Sequence, residues 1–198
     1  MKTRKGRRGT RKRGSTRKKK TFTNQDYNSG DGMLTSVWGP GLWHYLHTMS
    51  FNYPVHPTSE QKKQYKAFLM GLQHVLPCRH CRDNLKKNLR YAPLRACDLD
   101  SREGFSRYVF NLHETVNRLL GKKSGLTYNE VRDRYENFRS RCTSDKPRML
   151  TRKTLKREKG CTVPLYGKKA KSIIRIVPAD DPGRSLQIDH QCIKKRAH

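Results

Sequence analysis

Pro77-Cys78-Arg79-His80-Cys81 places two thiols three positions apart at what reads as a helix start. Cysteines at that spacing can close a small disulfide ring and open it again. A helix N-terminus carries roughly half a positive charge, which favours the thiolate of the first cysteine. Arg79 and His80 add to that field. The same spacing also serves as half of a zinc site, and zinc asks for two further ligands, usually from a second knuckle. The other cysteines, Cys97, Cys142, Cys161 and Cys192, are solitary in the sequence. That weighs toward redox chemistry. A zinc module using Cys78, Cys81 and histidines such as His74 or His80 is the alternative. A thioredoxin-like site needs strands around the pair, and here the flanks read as helical.

Two other clusters carry chemistry-bearing side chains. Trp38-Gly39-Pro40-Gly41-Leu42-Trp43-His44-Tyr45-Leu46-His47 packs two tryptophans, a tyrosine and two histidines into ten residues. It is either the core of a helix or a stacking platform for a flat cofactor. His113 and Asn117 lie four residues apart, so they share one helix face, and that face also carries apolar residues. Polar groups facing inward need polar partners. Neighbouring helices or a buried cofactor would supply them.

The elements that must position these residues are helical. Trp43, Leu46, His47 and Ser50 recur on one face, and Pro54 and Pro57 end that helix. Thr58 with Gln61 is a capping-box signature for a second helix, whose face reads Tyr65, Phe68, Leu69, Leu72, Val75 and Leu76. Pro77 suits a first helical position, so a third helix runs from about Cys78 to Asn88. Asp100 with Glu103 caps a fourth, striped by Phe105, Tyr108, Val109, Leu112, Val116 and Leu119 and stopped by Gly121. Thr127 with Glu130 caps a fifth, carrying Val131, Tyr135 and Phe138. The expected fold class is all-α, a four-helix bundle with an additional short fifth helix, plus a basic C-terminal extension.

Composition sets the domain plan. The chain has 198 residues, a formal net charge of +29 and 33% hydrophobic residues, against roughly 45–50% apolar residues in ordinary globular domains. One core over the whole length is excluded. Residues 1–20 carry 12 basic and no acidic groups and nothing apolar after Met1. Such a segment cannot bury surface and is expected to be disordered. Residues 143–198 carry 15 basic and 5 acidic groups, and their strand-like run is Ser172–Val177. The middle, 21–142, is only mildly basic, with 18 basic and 11 acidic groups. The plan is a disordered basic arm over 1–32, a folded domain over 33–142 and a basic extension over 143–198. No run of 18 apolar residues exists, so no membrane span is expected. The N-terminus lacks the apolar stretch of a secretory signal. Solvated basic ends attract polyanions, nucleic acid included, and the first 20 residues also pass for a nuclear localisation signal. Without interleaved aromatic residues, sequence-specific readout is not expected. A basic nucleic-acid-packaging protein is therefore a second, non-enzymatic alternative.

Taken together and in this order, the three clusters resemble the Erv/ALR family of FAD-dependent sulfhydryl oxidases. The opening motif of that family appears as Trp43-His44-Tyr45-Leu46-His47-Thr48-Met49, continuing into Tyr53-Pro54 and Pro57-Thr58. Its P-C-x-x-C is Pro77 to Cys81, and a third motif is matched from His113 to Lys122. The resemblance implies a helical bundle that holds FAD non-covalently, often as a homodimer. It implies Cys81 as the flavin-proximal cysteine and Cys78 as the interchange cysteine. Gly39, Trp43, His47, Tyr53, His113, Asn117 and Lys122 match flavin-contacting positions, and Tyr135 replaces a family tryptophan. The implied activity oxidises thiol-containing protein substrates and passes the electrons through FAD to molecular oxygen, giving hydrogen peroxide.

The chain departs from the family pattern in places. Glu114 stands where the family has asparagine, and residues 124–129 lack the first cysteine of the family's structural pair. Cys142 matches the second, which leaves it Cys161, Cys192 or no partner. The N-terminal arm holds no cysteine, so a shuttle disulfide would have to lie in the C-terminal part. A small oxidase with basic tails is similar to those that large DNA viruses use to make disulfides in cytoplasm.

Overall fold

The computed structural model describes residues 21–143 and 160–194, with the side chains of 142 and 143 left aside. The disorder expected of residues 1–20 falls outside the described residues. The chain divides into two units, residues 1–31 and 32–198. In the first, α1 (Asn24–Tyr27) is a single helical turn. It forms inside a stretch expected to be disordered because Thr23 and Asp26 cap each other. The Thr23 hydroxyl accepts from the Asp26 N–H at 3.3 Å, and the Asp26 carboxylate accepts from the Thr23 N–H at 3.0 Å.

Among the described residues the second unit is built on five α-helices: α2 (Thr35–Phe51), α3 (Ser59–Val75), α4 (Arg79–Tyr91), α5 (Arg102–Leu119) and α6 (Tyr128–Glu136). The capping boxes expected at Thr58 and Thr127 are both formed. Each contributes roughly 1 kcal/mol by satisfying otherwise unpaired N–H groups. The fourth expected cap is displaced by one residue. Ser101, not Asp100, accepts from the Gly104 N–H at 3.1 Å. A 3-10 turn at Cys97–Leu99 delays the helix, and Asp100 accepts from Lys62 Nζ instead, at 2.6 Å. Pro77 likewise lies one residue before the cap rather than inside the helix, because Cys78 is the N-cap of α4. After α5, Gly121 takes the left-handed φ of +66° that ends the helix.

α2, α3, α4 and α5 enclose one apolar core: Leu46, Tyr53, Leu69, Leu72, Leu76, Leu89, Leu99, Phe105, Tyr108, Val109 and Leu112. Burying each leucine side chain contributes roughly 1.5–3 kcal/mol. Parts of the expected stripes stay outside it. Phe68, Val75 and Leu119 are exposed, Phe68 at the flank of its helix and the other two at helix ends where no neighbour reaches them. A second cluster, Phe51, Tyr128, Val131 and Tyr135, seats α6 on the end of α2. The Tyr128 and Ser106 hydroxyls, 2.8 Å apart, join α6 to α5. Arg139 binds Glu136 at 2.6 Å and donates to the Phe51 carbonyl at 2.8 Å.

The C-terminal extension is tied to this body. β1 (Ser140–Thr143) pairs antiparallel with β2 (Gly160–Pro164), with an irregularity between Arg141 and Thr143. The Leu165 N–H continues the pairing to the Arg139 carbonyl at 2.8 Å, and the Lys194 N–H donates to Asn137 Oδ1 at 2.7 Å. The strand-like run Ser172–Val177 is in neither helix nor strand. The chain leaving α6 offers its edge to Gly160–Pro164 instead, so the partner decides the strand, not the β-branched run. Among the described residues no helix is long and apolar enough to cross a membrane.

Candidate active site

Both thiols sit where α4 begins. Cys78 has extended backbone geometry, and its sulfur accepts from the Cys81 N–H at 3.3 Å. Both cysteines are free thiols and half-buried. They are not equivalent. Hydrogen bonds from Cys81, first from its thiol and then from its backbone, hold the Cys78 thiol below its ordinary range. Burial, and then the hydrogen bond to Cys78, push the Cys81 thiol up. Cys78 is therefore the first to ionise. Arg79 and His80, expected to add to the field, are exposed, and only the His80 backbone contributes.

The segment leading into α2 lies across this pair. The Met33 N–H donates to the Pro77 carbonyl at 2.8 Å, and the Thr35 hydroxyl lies 3.4 Å from Cys81 Sγ. A Cβ on Gly32 would stand 2.9 Å from the Pro77 carbonyl oxygen and 3.3 Å from Cys78 Cα. Trp38 Nε1 donates to the Met33 carbonyl at 3.1 Å, which fixes the segment to α2. Sequence reasoning did not single out Thr35 or Gly32. The signal is a long-range contact, and nothing local in the chain announces it.

Farther along α2, the expected aromatic residues converge with those of α5 and α6. The rings of Trp43 and His113 stack at 3.9 Å, only 6° from parallel. His47 Nε2 and His113 Nδ1 are 2.9 Å apart. Tyr135 meets His47 at 5.3 Å and His44 at 5.5 Å between ring centroids. Burial lowers His47 to about 3, helped by the charges of His113 and His44. Burial lowers His113 to about 4, opposed by Glu114. Both rings are neutral at physiological pH. Two buried ring nitrogens, His44 Nδ1 and His47 Nδ1, have no hydrogen-bond partner among the described residues. An unpaired N–H costs more than an unpaired ring acceptor, which favours the tautomer in which His47 Nε2–H donates to His113 Nδ1.

The other expected residues are placed differently. Gly39 is buried one turn before Trp43 on α2. Asn117 donates to Glu114 Oε1 at 3.0 Å, and its carbonyl accepts from the Lys122 N–H at 2.8 Å, so these two are linked at the end of α5. Tyr53 is not brought into the histidine cluster. It is fully buried, its hydroxyl donates to the Leu99 carbonyl at 2.9 Å, and its ring packs between Tyr65 and Phe105. Cys97 and Cys192 are free thiols, and Cys161 is disulfide-bonded. Among the described residues no three His, Cys, Asp or Glu side chains converge as metal ligands, so the zinc alternative gains no support from the geometry.

The thiol pair stands at the start of α4, and the neutral aromatic cluster joins α2, α5 and α6. Residues 40–144 match the Erv1/Alr family. The chain belongs to that family. The FAD-linked sulfhydryl oxidase ERV1 of Arabidopsis thaliana is 43% identical over 84 residues, 42% of this chain and 42% of that protein. The probable FAD-linked sulfhydryl oxidase R368 of Acanthamoeba polyphaga mimivirus is 37% identical over 99 residues, half of this chain and 68% of that protein. The crystal structure of the FAD-binding domain of Erv1 from Saccharomyces cerevisiae aligns with 31% identity and a TM-score of 0.47, covering 52% of this chain and 94% of that one. This chain thus spans less than half the length of the Arabidopsis relative it matches.

Proposed function

We propose that this Erv1/Alr chain is an FAD-linked sulfhydryl oxidase that forms disulfides in protein substrates. The observation that carries the reading is the unequal thiol pair at the start of α4. Hydrogen bonds to Cys78 favour its thiolate, so Cys78 leaves readily when a mixed disulfide with substrate is resolved, which suits it to exchange with substrate. Cys81, more buried and held by Thr35, faces the inner side of the exchange. In oxidation of a substrate dithiol, one substrate thiolate attacks Cys78 of the Cys78–Cys81 disulfide and expels the Cys81 thiolate. The second substrate thiolate then attacks the mixed disulfide and releases Cys78. The substrate leaves with a new disulfide, and the pair has gained its two electrons.

The histidine cluster fits a flavin. Trp43, His47, His113 and Tyr135 present neutral aromatic faces, and the Nδ1 atoms of His44 and His47 are polar groups without a hydrogen-bond partner among the described residues. These residues, with Gly39, Asn117 and Lys122, would hold FAD. When bound, FAD supplies the acceptor for the pair's electrons and their route to molecular oxygen. The protein supplies position, water exclusion and a thiolate of suitable pKa. We read Tyr53 as supporting the bundle rather than touching the flavin.

The same reading extends to the whole molecule as a homodimer, as is frequent in such oxidases. Its basic ends would keep it beside a polyanion such as nucleic acid, in cytoplasm, in a nucleus or within a viral particle.

The deciding experiment is purification followed by substitution. The protein should be yellow, bleach with anaerobic dithiothreitol and recover in air. Cys81→Ser should abolish dithiothreitol oxidation while the visible flavin band stays. Full turnover in Cys81→Ser, or a colourless protein that takes up no FAD, overturns the reading.

A further inference from the structure

We propose that the thiol segment presented to Cys78 is flanked by acidic residues, and that the outer face of α4 selects it by charge. This rests on the exchange role given to Cys78 above. α4 carries Arg79, Arg82, Lys86, Lys87 and Arg90 against a single Asp83, so the helix that begins at the redox pair is also densely basic. Arg82 is spent inside, its guanidinium donating to the Leu76 carbonyl at 2.5 Å. Arg79, Lys86, Lys87 and Arg90 have no ion-pair partner among the described residues, and none makes an interaction outside those described. Three cations elsewhere in the same unit are matched, Lys62 with Asp100, Arg107 with Glu103 and Arg139 with Glu136, whereas Lys63, Lys66, Arg118 and Lys122 have no ion pair among the described residues. The element that carries the thiols therefore carries unspent positive charge along its length.

The spacing makes that charge usable. Cys81, Leu85, Asn88 and Leu89 turn toward the core. Arg79, Lys86 and Arg90 recur at i, i+7 and i+11, which keeps them on one outward face. At 1.5 Å per residue, Lys86 lies about 12 Å and Arg90 about 18 Å along the axis from Cys78. A substrate strand covers that distance in about four to six residues. A cysteine poised over Cys78 thus brings carboxylates a few residues away over Lys86 and Arg90. Beside the pair, Met33 and Leu34 are 71% and 73% exposed, an apolar contact for the residue next to the substrate cysteine. Rim charges of this kind act mainly on the encounter rate and its salt dependence.

The test uses peptides whose single cysteine is activated as a mixed disulfide with thionitrobenzoate, flanked by glutamates, lysines or serines. The thiolate of Cys78 attacks the peptide sulfur, the new disulfide joins protein and peptide, and thionitrobenzoate departs with the electron pair as a coloured ion. No net oxidation occurs and no flavin is needed. Cys81→Ser protein prevents resolution, and subtraction of the Cys78→Ser/Cys81→Ser protein removes the contributions of Cys97 and Cys192. At low ionic strength the glutamate peptide should react roughly tenfold faster than the lysine peptide. The ratio should fall toward one in about 1 M salt, where screening lengths shrink to about 3 Å. K86E/R90E should remove or reverse the preference while the serine peptide reacts as before, which shows the fold and Cys78 intact. Equal rates for the glutamate and lysine peptides, or a preference that survives K86E/R90E, would overturn the proposal. Dithiothreitol oxidation is scored separately: its absence alongside an acidic preference sinks the oxidase reading and leaves the recognition face standing.

Discussion

The hydroxyl of Thr35 stands 3.4 Å from the sulfur of Cys81, 46 residues away in sequence. Thr35 is the first residue of α2, and Cys81 lies in the first turn of α4. One helix start therefore reaches across to another and touches the more buried member of the thiol pair. α2 also carries Trp43 and His47, so the helix that holds the aromatic cluster gauges the position of the dithiol.

Thr35→Val should make Cys81 less reactive. The hydroxyl helps lower the Cys81 thiol against the larger effect of burial, so its loss leaves burial less opposed. In a Cys78→Ser background, alkylation of Cys81 at neutral pH should slow a fewfold, because solvent near the exposed Thr35 keeps the hydrogen bond at the low end of roughly 0.5–1.5 kcal/mol. Thr35→Ser should restore the rate. An unchanged pH profile of alkylation in Thr35→Val would show that the contact does nothing for the thiol.

Gly32→Ala tests the strap before α2. The new methyl would fall 2.9 Å from the Pro77 carbonyl oxygen, a backbone atom that cannot swing aside. The strap must then lift, straining the 2.8 Å hydrogen bond from the Met33 N–H. A loss of roughly 1–3 kcal/mol in urea unfolding is expected, with faster alkylation of Cys78. Unaltered stability and reactivity would mean that the segment does not clamp the pair.

The helices and the thiol pair were legible because their signals are local. Thr58 and Thr127 form the caps that their spacing to Gln61 and Glu130 announces. Leu69, Phe105 and Val109 fall inward as their periodicity requires. Trp43, His47, His113 and Tyr135 meet because each lies on the inward face of its own helix. What escaped depends on a neighbour. Ser172–Val177 has strand-forming side chains but no pairing edge, whereas Gly160–Pro164 has one. Thr35 is a helix-start residue like many others until the fold brings Cys81 beneath it.

Acid should destabilise the fold through the buried histidines. His47 and His113 titrate at about 3 and about 4 when folded, against 6.5 for the exposed side chain. Above pH 6.5 both are neutral in either state and cost nothing. Below it the unfolded chain takes up protons that the folded chain refuses, so stability falls with pH, by up to roughly 1.4 kcal/mol per histidine per pH unit until about pH 4. Calorimetry between pH 7 and 5 should show a falling Tm. His113→Phe should flatten the slope by about half. A Tm that holds level over that interval would contradict the burial of these rings.

Trp43→Ala should weaken FAD retention more than it weakens the fold. The indole is half-buried and stacked on His113 at 3.9 Å, so removing it opens the cluster while Leu46 and Leu112 still hold α2 against α5. An aromatic stacking contact is worth roughly 0.5–1.5 kcal/mol beyond its buried area. With the lost area added, the affinity for FAD, followed by flavin fluorescence on titrating the apoprotein, should fall at least about tenfold. Trp43→Phe should recover most of it, since a ring still covers His113. If Trp43→Ala binds FAD as tightly as the unaltered protein, the flavin does not lie on this face of α2, and His44, His47 and Tyr135 lose their assigned partner with it.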